Sequence, residues 1–438
     1  MAMKVTVIGL GYLGATHAVA MSKIGHTVIG IEPNQAKVDS LNSGRAGFFE
    51  PGLDEELATQ LTSGRLSFRT SHDESSKDAD VHFICVGTPQ LEGSLAADTS
   101  YLHSAIRDLA PYLSSDAVVV GKSTVPVGTA ALLTEELKKL TGFEENLAWN
   151  PEFLREGTAL EDSLSPDRLV VGVTSEHSEK KLREVFAPMI SAGVPFIVTD
   201  LATAELVKSA ANAFLATKIS FINAMAEIAE VSGADASQLA TAIGYDERIG
   251  NKFLRNGVGF GGGCLPKDIR ALMARAEELG VGESVAYLKE IDKINIRRRQ
   301  RVLNMLTKEL GTLEGKAVLV LGAAFKPDSD DVRDSPALEI ALLLKKIGAI
   351  VMVHDPIALP GVNKKHPELA TEQDLLKSFS SMDAVVLATE WQDYRQLDPS
   401  TIVGINNKFI IDGRNVLDVV KWQSAGFKVL ALGKTIKN

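Results

Sequence analysis

The stretch that decides the fold is Lys4-Val5-Thr6-Val7-Ile8-Gly9-Leu10-Gly11-Tyr12-Leu13-Gly14, near the start of the chain. A β-branched strand runs directly into Gly-x-Gly-x-x-Gly, and helical residues follow from Ala15 to Ile24. In this setting Gly9, Gly11 and Gly14 permit a tight turn, and the amides at the helix start can receive a pyrophosphate. The pattern predicts a dinucleotide-binding βα unit; the alternative is a purely structural strand-helix turn.

A second strand, His26–Ile31, ends in Glu32. A carboxylate at this place binds the ribose hydroxyls of a dinucleotide and repels a 2′-phosphate, so NAD is favoured over NADP. The strands Val81–Val86 and Ala117–Gly121 extend the sheet. Ligands of open parallel sheets lie beyond the carboxyl ends of the strands, and the polar residues expected there are Thr88, Ser123 and Thr124.

Alternating strands and helical spans resume at Lys316–Gly322, after a helix without glycine or proline over Ala202–Val231. The fold class expected is α/β, with two doubly wound, Rossmann-like sheets joined by a long central helix and a helical dimerisation region. The expected domains are a dinucleotide-binding domain (1–200), a central helical domain (201–301) and a second α/β domain (302–438). The first turn of the second sheet lacks the glycine fingerprint, so we expect it to bind something other than another dinucleotide.

Composition narrows the classes of protein. The chain has 438 residues and a formal net charge of −10, which argues against a nucleic-acid partner. Its apolar runs are too short for a secretory signal or a membrane span, so we expect a cytoplasmic protein with no membrane partner. One basic cluster, Arg297–Arg301, is interpreted as the solvated side of a helix.

A glycine-crowded loop carries the strongest chemical signal: Gly257-Val258-Gly259-Phe260-Gly261-Gly262-Gly263-Cys264-Leu265-Pro266-Lys267-Asp268. Glycines permit close approach of a ligand to the backbone, and Lys267 can favour the Cys264 thiolate. Asp268 could orient a water or handle a proton. The other cysteine, Cys85, lies in an apolar run and is interpreted as a core thiol.

The long helix carries a polar pair, Lys208 and Asn212, spaced i, i+4 among small and apolar residues. A solvated surface pair is the ordinary explanation. A lysine on so apolar a helix needs a partner or a function, however, and we favour a functional role.

Several separate motifs together resemble the UDP-glucose/GDP-mannose dehydrogenase family over nearly the whole chain. Besides the glycine turn and the cysteine loop, they are Glu50-Pro51-Gly52-Leu53, Val86-Gly87-Thr88-Pro89, Ser123-Thr124-Val125-Pro126-x-Gly128, Asn150-Pro151-Glu152-Phe153-Leu154-x-Glu156-Gly157, Glu205-x-x-Lys208-x-x-x-Asn212, Phe325-Lys326-x-Asp328 and Asp331-x-Arg333-x-Ser335-Pro336. The resemblance implies oxidation of the C6 alcohol of UDP-glucose to a carboxylate with two NAD+, through a cysteine-bound thiohemiacetal and thioester. It also implies a UDP-sugar substrate and no metal. We expect a homodimer built around the central helical region, from Ala202 to about Arg301, because long apolar helices that link two domains need burial.

Roles follow from the same resemblance. It implies Cys264 as nucleophile, Asp268 and Thr124 as holders of the hydrolytic water, Glu156 as acid/base residue with Glu152 in support, and Lys208 and Asn212 as oxyanion stabilisers. Sugar-nucleotide contacts are implied for Glu152, Phe153, Leu154, Arg155, Glu156, Lys208, Asn212, Phe253, Leu254, Arg255, Asn256, Gly257, Gly261 and Lys326, and across the dimer for Arg248. Cofactor contacts are implied for Leu13, Glu32, Lys37, Thr124, Glu156, Lys267 and Arg333, beside the glycines, Thr88 and Ser123.

Two departures and several alternatives remain. Glu32 stands where the family commonly has Asp, and the approach to Glu50 at Ala46–Phe49 lacks the usual proline. The substrate could instead be GDP-mannose or a UDP-N-acetylhexosamine, although the hexosamine enzymes carry His before the cysteine, where this chain has Gly263. A nucleotide-sensing protein without turnover is the alternative outside the enzymes.

Overall fold

A computed structural model describes residues 2–143 and 146–436 of the chain. The chain forms two compact units, one of Met1–Ala211 with Arg270–Gly280 and one of Asn212–Ile269 with Val281–Asn438. The finer division at residues 200 and 301 stays a prediction.

The first unit contains an eight-stranded sheet. Its strands are β1 (Lys4–Ile8), β2 (Thr27–Ile31), β3 (Leu66–Arg69), β4 (Val81–Ile84), β5 (Val118–Gly121), β6 (Leu147–Trp149), β7 (Leu169–Gly172) and β8 (Phe196–Thr199). They lie in the order β3-β2-β1-β4-β5-β6-β7-β8, and every neighbouring pair is parallel except β6 and β7. The central strands are buried on both faces, which explains their continuous apolar runs.

Helices cover both faces of this sheet. They are α1 (Tyr12–Lys23), α2 (Gln35–Asn42), α3 (Leu53–Thr62), α4 (Ser100–Leu109), α5 (Thr129–Thr141), α6 (Ala159–Leu164), α7 (Glu176–Val185) and α8 (Ala187–Ser191). Two apolar clusters, one on each face, form the core. The expectation that Cys85 is a core residue is confirmed, since its side chain is buried in one of these clusters.

The second unit contains a six-stranded, wholly parallel sheet. Its strands are β9 (Ala317–Leu321), β10 (Ile350–His354), β11 (Ala370–Thr371), β12 (Ala384–Leu387), β13 (Phe409–Asp412) and β14 (Lys428–Ala431), in the order β11-β10-β9-β12-β13-β14. The fold-class prediction of two doubly wound sheets is therefore confirmed.

The remaining helices begin with a 32-residue one, α9 (Leu201–Ser232), which matches the predicted central helix. It is followed by α10 (Ala236–Gly244), α11 (Leu265–Glu278), α12 (Tyr287–Leu310), α13 (Pro336–Lys346), α14 (Leu359–Lys365), α15 (Leu375–Ser378), α16 (Gln392–Gln396) and α17 (Val419–Ser424). Within residues 2–143 and 146–436, none of the helices has the length and apolar character needed to span a membrane.

Candidate functional site

The Gly-x-Gly-x-x-Gly segment forms the turn between β1 and α1. Gly9 has a φ of +86°, and a Cβ there would lie 2.8 Å from the Val86 side chain. A Cβ on Gly14 would overlap the carbonyl oxygen of Gly9. Gly11 instead faces open space: apart from its chain neighbours, no described residue has an atom within 4 Å of a Cβ built there. Gly11 precedes α1 without a side-chain cap. A pyrophosphate can therefore approach the backbone closely at the helix start, which fits NAD.

Glu32 lies beside this turn, directly after β2. Its buried carboxylate accepts hydrogen bonds from the amides of Leu10 (3.1 Å) and Asn34 (3.3 Å). The ammonium of Lys37 lies 3.5 Å from the same carboxylate, and Leu13 packs against the adjoining core. The structure thus brings three of the predicted cofactor contacts to one edge of the sheet, with an acid fixed next to the glycine turn.

Polar residues after β4 and β5 also meet at this edge. The Thr88 hydroxyl donates to the carbonyl oxygen of Thr124 at 2.7 Å, and the Ser123 hydroxyl donates to that of Val86 at 2.6 Å. These bonds tie the two strand ends together, and all three predicted residues lie where the parallel-sheet argument expects them.

The loop that carries Thr124 is fixed by Glu205 of α9. The Glu205 carboxylate accepts hydrogen bonds from the amides of Gly128 (2.7 Å) and Ala130 (2.6 Å), at the start of α5. Burial raises the pKa of Glu205 to about 7 although these amides and Arg275 act in the opposite direction. The residue therefore links the Thr124 loop to the helix that bears Lys208.

Lys208 has a partner, as its burial requires. Its ammonium lies 3.0 Å from the carboxylate of Glu152, and both side chains are almost fully buried, at 6% and 12% exposure. The second Glu152 oxygen accepts the amide of Leu154 at 2.6 Å. The ring of Phe153 lies 5.7 Å from the same ammonium. A fixed cation is thus held beside a carboxylate, an arrangement suited to stabilising a developing oxyanion.

Arg155 and Glu156, which follow Leu154 in sequence, interact with different groups. The guanidinium of Arg155 forms an ion pair with Asp162, so it is engaged within the loop. Glu156 lies close enough to the Tyr12 phenol to contribute to the raised pKa of that group, after the larger effects of burial and of another carboxylate.

Lys122 is a residue to which the sequence assigned no role. It follows β5, is buried, and donates to the Asn150 side-chain oxygen at 2.8 Å. Burial lowers the pKa of Lys122, whereas Cys85 and Glu152 act to raise it. A lysine directly after a buried strand was the available signal, because such a position leaves an ammonium in the interior.

The cysteine loop lies in the second unit and exposes its thiol. Gly262 has a φ of +84°, and a Cβ there would lie 2.8 Å from the Phe325 ring. A Cβ on Gly263 would overlap the guanidinium of Arg333. Cys264 itself is exposed and immediately precedes α11. The glycines therefore pack the loop against neighbouring side chains while the thiol faces outward.

Three predicted residues meet at the start of α11. The Asp268 side chain is buried, accepts the Asn212 side-chain amide at 2.7 Å and pairs with the Lys267 ammonium at 2.6 Å. Asp268 is therefore held as a fixed acceptor, and Lys267 is engaged with this carboxylate.

The basic cluster Arg297–Arg301 lies on α12, and two of its arginines donate hydrogen bonds to the backbone of the cysteine loop. Arg298 donates to the carbonyl oxygen of Gly257 at 3.1 Å, and Arg299 donates to that of Phe260 at 2.9 Å. Asn295 pairs with both backbone groups of Phe260, at 2.7 and 3.0 Å. The interpretation of this cluster as solvated is wrong for Arg298 and Arg299, which are buried because the loop carbonyls need donors.

An open cavity of about 850 Å³ lies in the second unit. The predicted contacts Phe253, Leu254, Arg255 and Asn256 all line it. Phe253 has a φ of +64°, a conformation that side chains rarely adopt and that is frequent at ligand-binding positions. The volume is in the range of small-molecule sites.

Arg414 also lines the cavity, although no functional role was predicted for it from the sequence. Its guanidinium donates to the carbonyl oxygens of Ala388 (2.7 Å) and Gly259 (3.1 Å) and lies 3.3 Å from Glu390. Arg414 lies just after β13, and this position at the end of a strand is the only feature of the sequence that could have indicated a functional role.

Three other predicted contacts surround the first turn of the second sheet. A Cβ on Gly261 would overlap a backbone carbonyl oxygen, so this position requires glycine. Lys326 lies 5.7 Å from the ring centroid of Phe325, and Arg333 pairs with Asp331 at 2.7 Å. Arg248 is separate from them: its side chain is 89% exposed, pairs with Asp246, and is not among the residues that line the cavity.

These features are typical of one class of protein, the dinucleotide-dependent oxidoreductases that combine a nucleotide-binding sheet with an exposed thiol. Residues 3–190 match the NAD binding domain of the UDP-glucose/GDP-mannose dehydrogenase family, residues 202–297 its central domain, and residues 319–419 its UDP binding domain. The chain belongs to the UDP-glucose/GDP-mannose dehydrogenase family and is an NAD-dependent nucleotide-sugar dehydrogenase.

Individual relatives cover the full length. The chain is 40% identical to UDP-glucose 6-dehydrogenase of Rickettsia typhi, over 99% of this chain and 100% of the relative. It is 37% identical to UDP-glucose 6-dehydrogenase YwqF of Bacillus subtilis, over 99% and 98%. Among solved structures, a UDP-glucose dehydrogenase from Pyrobaculum islandicum superposes with a TM-score of 0.92 at 37% identity, covering 100% of this chain and 98% of the other. A UDP-D-ManNAc dehydrogenase from Pyrococcus horikoshii gives 0.85 at 27% identity, over 99% of both.

Proposed function

We propose that this protein oxidises the C6 alcohol of UDP-glucose to UDP-glucuronate, with two NAD+ consumed per sugar. The observation that carries the proposal is the exposed Cys264 thiol at the end of a glycine loop, immediately before α11. The names of the full-length relatives support UDP-glucose as the substrate. Gly263 before the cysteine supports it as well, because the hexosamine enzymes carry His at that position.

In the first oxidation, side chains of the segment 152–156 and of α9 handle the alcohol. Glu156, supported by Glu152, accepts the hydroxyl proton. The Lys208 ammonium, already fixed by Glu152 at 3.0 Å, stabilises the developing alkoxide, together with the Asn212 amide. When bound, NAD+ supplies the hydride acceptor for each of the two oxidations.

In the second oxidation, Cys264 forms the covalent intermediates. Its thiolate adds to the aldehyde carbon, and the resulting oxyanion takes up a proton to give a thiohemiacetal. Loss of a hydride from that carbon, together with loss of the hydroxyl proton, leaves a thioester. Water held by Asp268 and Thr124 then adds to the thioester carbon, and the C–S bond breaks to give the carboxylate and the thiol. Asp268 suits this task because its buried carboxylate is fixed by Asn212 and Lys267.

We expect the sugar nucleotide to occupy the 850 Å³ cavity of the second unit. The stretch Phe253–Asn256 lines it, and Arg414 adds a cation that matches a diphosphate. By resemblance to the family, we propose further sugar-nucleotide contacts for Gly257, Gly261 and Lys326, and for Phe153, Leu154 and Arg155.

We also propose a homodimer. On α9, Phe214, Phe221 and Ile228 follow one another at intervals of seven residues and are 65%, 46% and 56% exposed. Seven residues are nearly two helical turns, so the three side chains form one apolar stripe, which a second copy of the helix would bury. Exposed Arg248 would then reach the sugar nucleotide of the other subunit.

One assay tests the proposal: the protein is incubated with NAD+ and a panel of UDP- and GDP-sugars, and NADH absorbance is followed. We expect UDP-glucose to give the highest kcat/KM. Turnover with GDP-mannose or a UDP-N-acetylhexosamine alone would reassign the substrate. Binding of nucleotides without NADH formation would favour the sensing protein.

A further inference from the structure

The Glu50-Pro51-Gly52-Leu53 motif has no part in the reaction proposed above, yet its carboxylate is one of the most heavily bonded in the first unit. Glu50 is 6% exposed. One oxygen accepts the Tyr12 hydroxyl and the amide of Gly157, the latter at 2.7 Å. The other accepts the amides of Ala159 (2.6 Å) and Leu160 (3.4 Å). All four groups are donors, and each carboxylate oxygen accepts from two of them.

Three of these four donors are backbone amides that directly follow Glu156, so their hydrogen bonds to Glu50 fix the backbone there. Gly157 is the next residue and has a φ of +82°, so the chain reverses at this point. Ala159 begins α6, and Thr158 before it makes no side-chain cap. The Glu50 carboxylate therefore supplies the acceptor that the helix lacks locally, from a distance of more than one hundred residues in sequence.

The fourth donor connects this loop to the dinucleotide turn. Tyr12 is the first residue of α1, within Gly-x-Gly-x-x-Gly, and its hydroxyl also lies 3.2 Å from the Gly157 amide. Burial, followed by the Glu50 carboxylate, raises the pKa of the Tyr12 phenol. The phenol therefore stays protonated and donates to Glu50, and one buried carboxylate joins the turn to the loop.

We propose that Glu50 is a positioning residue that holds Glu156 in its reactive place by fixing the backbone at Gly157 and Ala159. The inference deepens the proposed function, on which the acid/base role of Glu156 rests. Glu50 itself takes no part in proton transfer to the substrate.

The test is Glu50→Gln. The amide has one acceptor oxygen instead of two, and its NH2 group must face either the Gly157 amide or the amides of Ala159 and Leu160, so at least one hydrogen bond from a backbone amide is lost. We expect kcat on UDP-glucose to fall roughly ten- to a hundredfold, in line with small misplacements of catalytic groups. The Kd of NAD+ is expected to change less than kcat, because Glu32 and the glycines of the turn are unchanged and Glu156 is one of several implied cofactor contacts. The matched control, Glu55→Gln, removes an exposed carboxylate on α3 and should match the wild type.

Two further variants grade the effect. Glu50→Asp keeps two acceptor oxygens and is expected to retain more activity than Glu50→Gln. Tyr12→Phe removes one donor of four and should cost less than Glu50→Gln. The pH profile of kcat should change in Glu50→Gln and not in Glu55→Gln, because displacement of Glu156 alters the environment of the titrating group.

Hydrogen exchange measured by mass spectrometry separates this inference from the proposed function. In Glu50→Gln the amides of Gly157, Ala159 and Leu160 should exchange faster than in the wild type, whether or not UDP-glucose is a substrate. Unchanged exchange, or unchanged turnover in an active enzyme, would overturn the inference. A parallel loss of NAD+ affinity and melting temperature would also overturn it, because Glu50 would then only support the fold.

Discussion

The two cysteines of the chain occupy opposite environments. Cys85 is buried, and burial raises the pKa of its thiol to about 12. Cys264 is exposed on a glycine loop that packs its backbone against neighbouring side chains. A thiol must be accessible to act as a nucleophile, and of the two thiols it is Cys264 that is exposed.

We therefore expect Cys264→Ser to lose at least about a thousandfold in turnover of UDP-glucose, because a serine hydroxyl is almost never ionised near neutral pH. Cys85→Ser is the matched control and should affect stability at most. Product analysis supplies a second measurement: the wild type should form two NADH per UDP-glucuronate and release no free aldehyde. Near-normal glucuronate formation by the Cys264 variant would rule out covalent catalysis through this loop.

We expect Glu32 to determine the preference for NAD+ over NADP+. Its carboxylate is held by the amides of Leu10 and Asn34, so it cannot easily turn away from a 2′-phosphate. We expect a strong preference for NAD+ over NADP+ in kcat/KM, and Glu32→Gln should narrow it by removing the charge repulsion. Steady-state kinetics with both cofactors measure the effect. Equal kcat/KM values for the two cofactors in the wild type would contradict this role of Glu32.

At the scale of the elements, Glu205 ties α9 to the start of α5, and its titration should be visible in stability. Its folded-state pKa of about 7 lies above the ordinary value of 4.5, so the folded protein binds this proton more tightly than the unfolded chain. The resulting stabilisation is fully present below about pH 4.5 and is lost as the pH rises through 7.

Glu205→Gln tests this, because glutamine resembles the protonated acid and does not titrate. The free energy of unfolding, measured by denaturant titration between pH 5 and 8, should fall with rising pH less steeply in the variant than in the wild type. Identical slopes would show that Glu205 does not titrate in this range. Substitution of exposed Glu135 on α5 by Gln provides the control.

The elements themselves were largely predictable. Apolar β-branched runs located β1, β4 and β5 to within two residues, because strands buried on both faces leave a continuous local signal. The central helix was predicted to within one residue at each end, because no glycine or proline interrupts it. Local sequence is sufficient for these features.

Much of the candidate site depends on distant residues and could not be predicted in the same way. Arg298 and Arg299 looked solvated because a basic run normally is, and only the carbonyls of the cysteine loop, about forty residues earlier, explain their burial. Lys122 and Glu50 are similar cases. Their partners are separated from them by 28 and by more than one hundred residues, so no local pattern reveals the contacts.

At the scale of the whole molecule, the surface of α9 bears on assembly. Phe214, Phe221 and Ile228 expose a stripe of large apolar side chains on a helix whose other residues include the buried Ile222 and Ala226. Large exposed apolar side chains that recur at seven-residue intervals are typical of a helix that packs against another helix rather than of a solvated face. The same helix carries Lys208 and Asn212, so a contact between subunits on α9 would involve the element that holds two of the proposed catalytic groups.

We expect a dimer at assay concentrations, and Phe221→Asp should convert it into monomers because a charge would be buried in the middle of the stripe. Light scattering measures the change. Val403→Asp is the control, since Val403 is also apolar and 77% exposed but lies outside α9. If Arg248 of the partner subunit contacts the sugar nucleotide, the monomeric variant should lose turnover, and Arg248→Ala should raise the KM for UDP-glucose while leaving the dimer intact. A wild-type monomer with full activity would contradict both claims: that the apolar stripe on α9 forms a dimer contact, and that Arg248 contacts the sugar nucleotide of the other subunit.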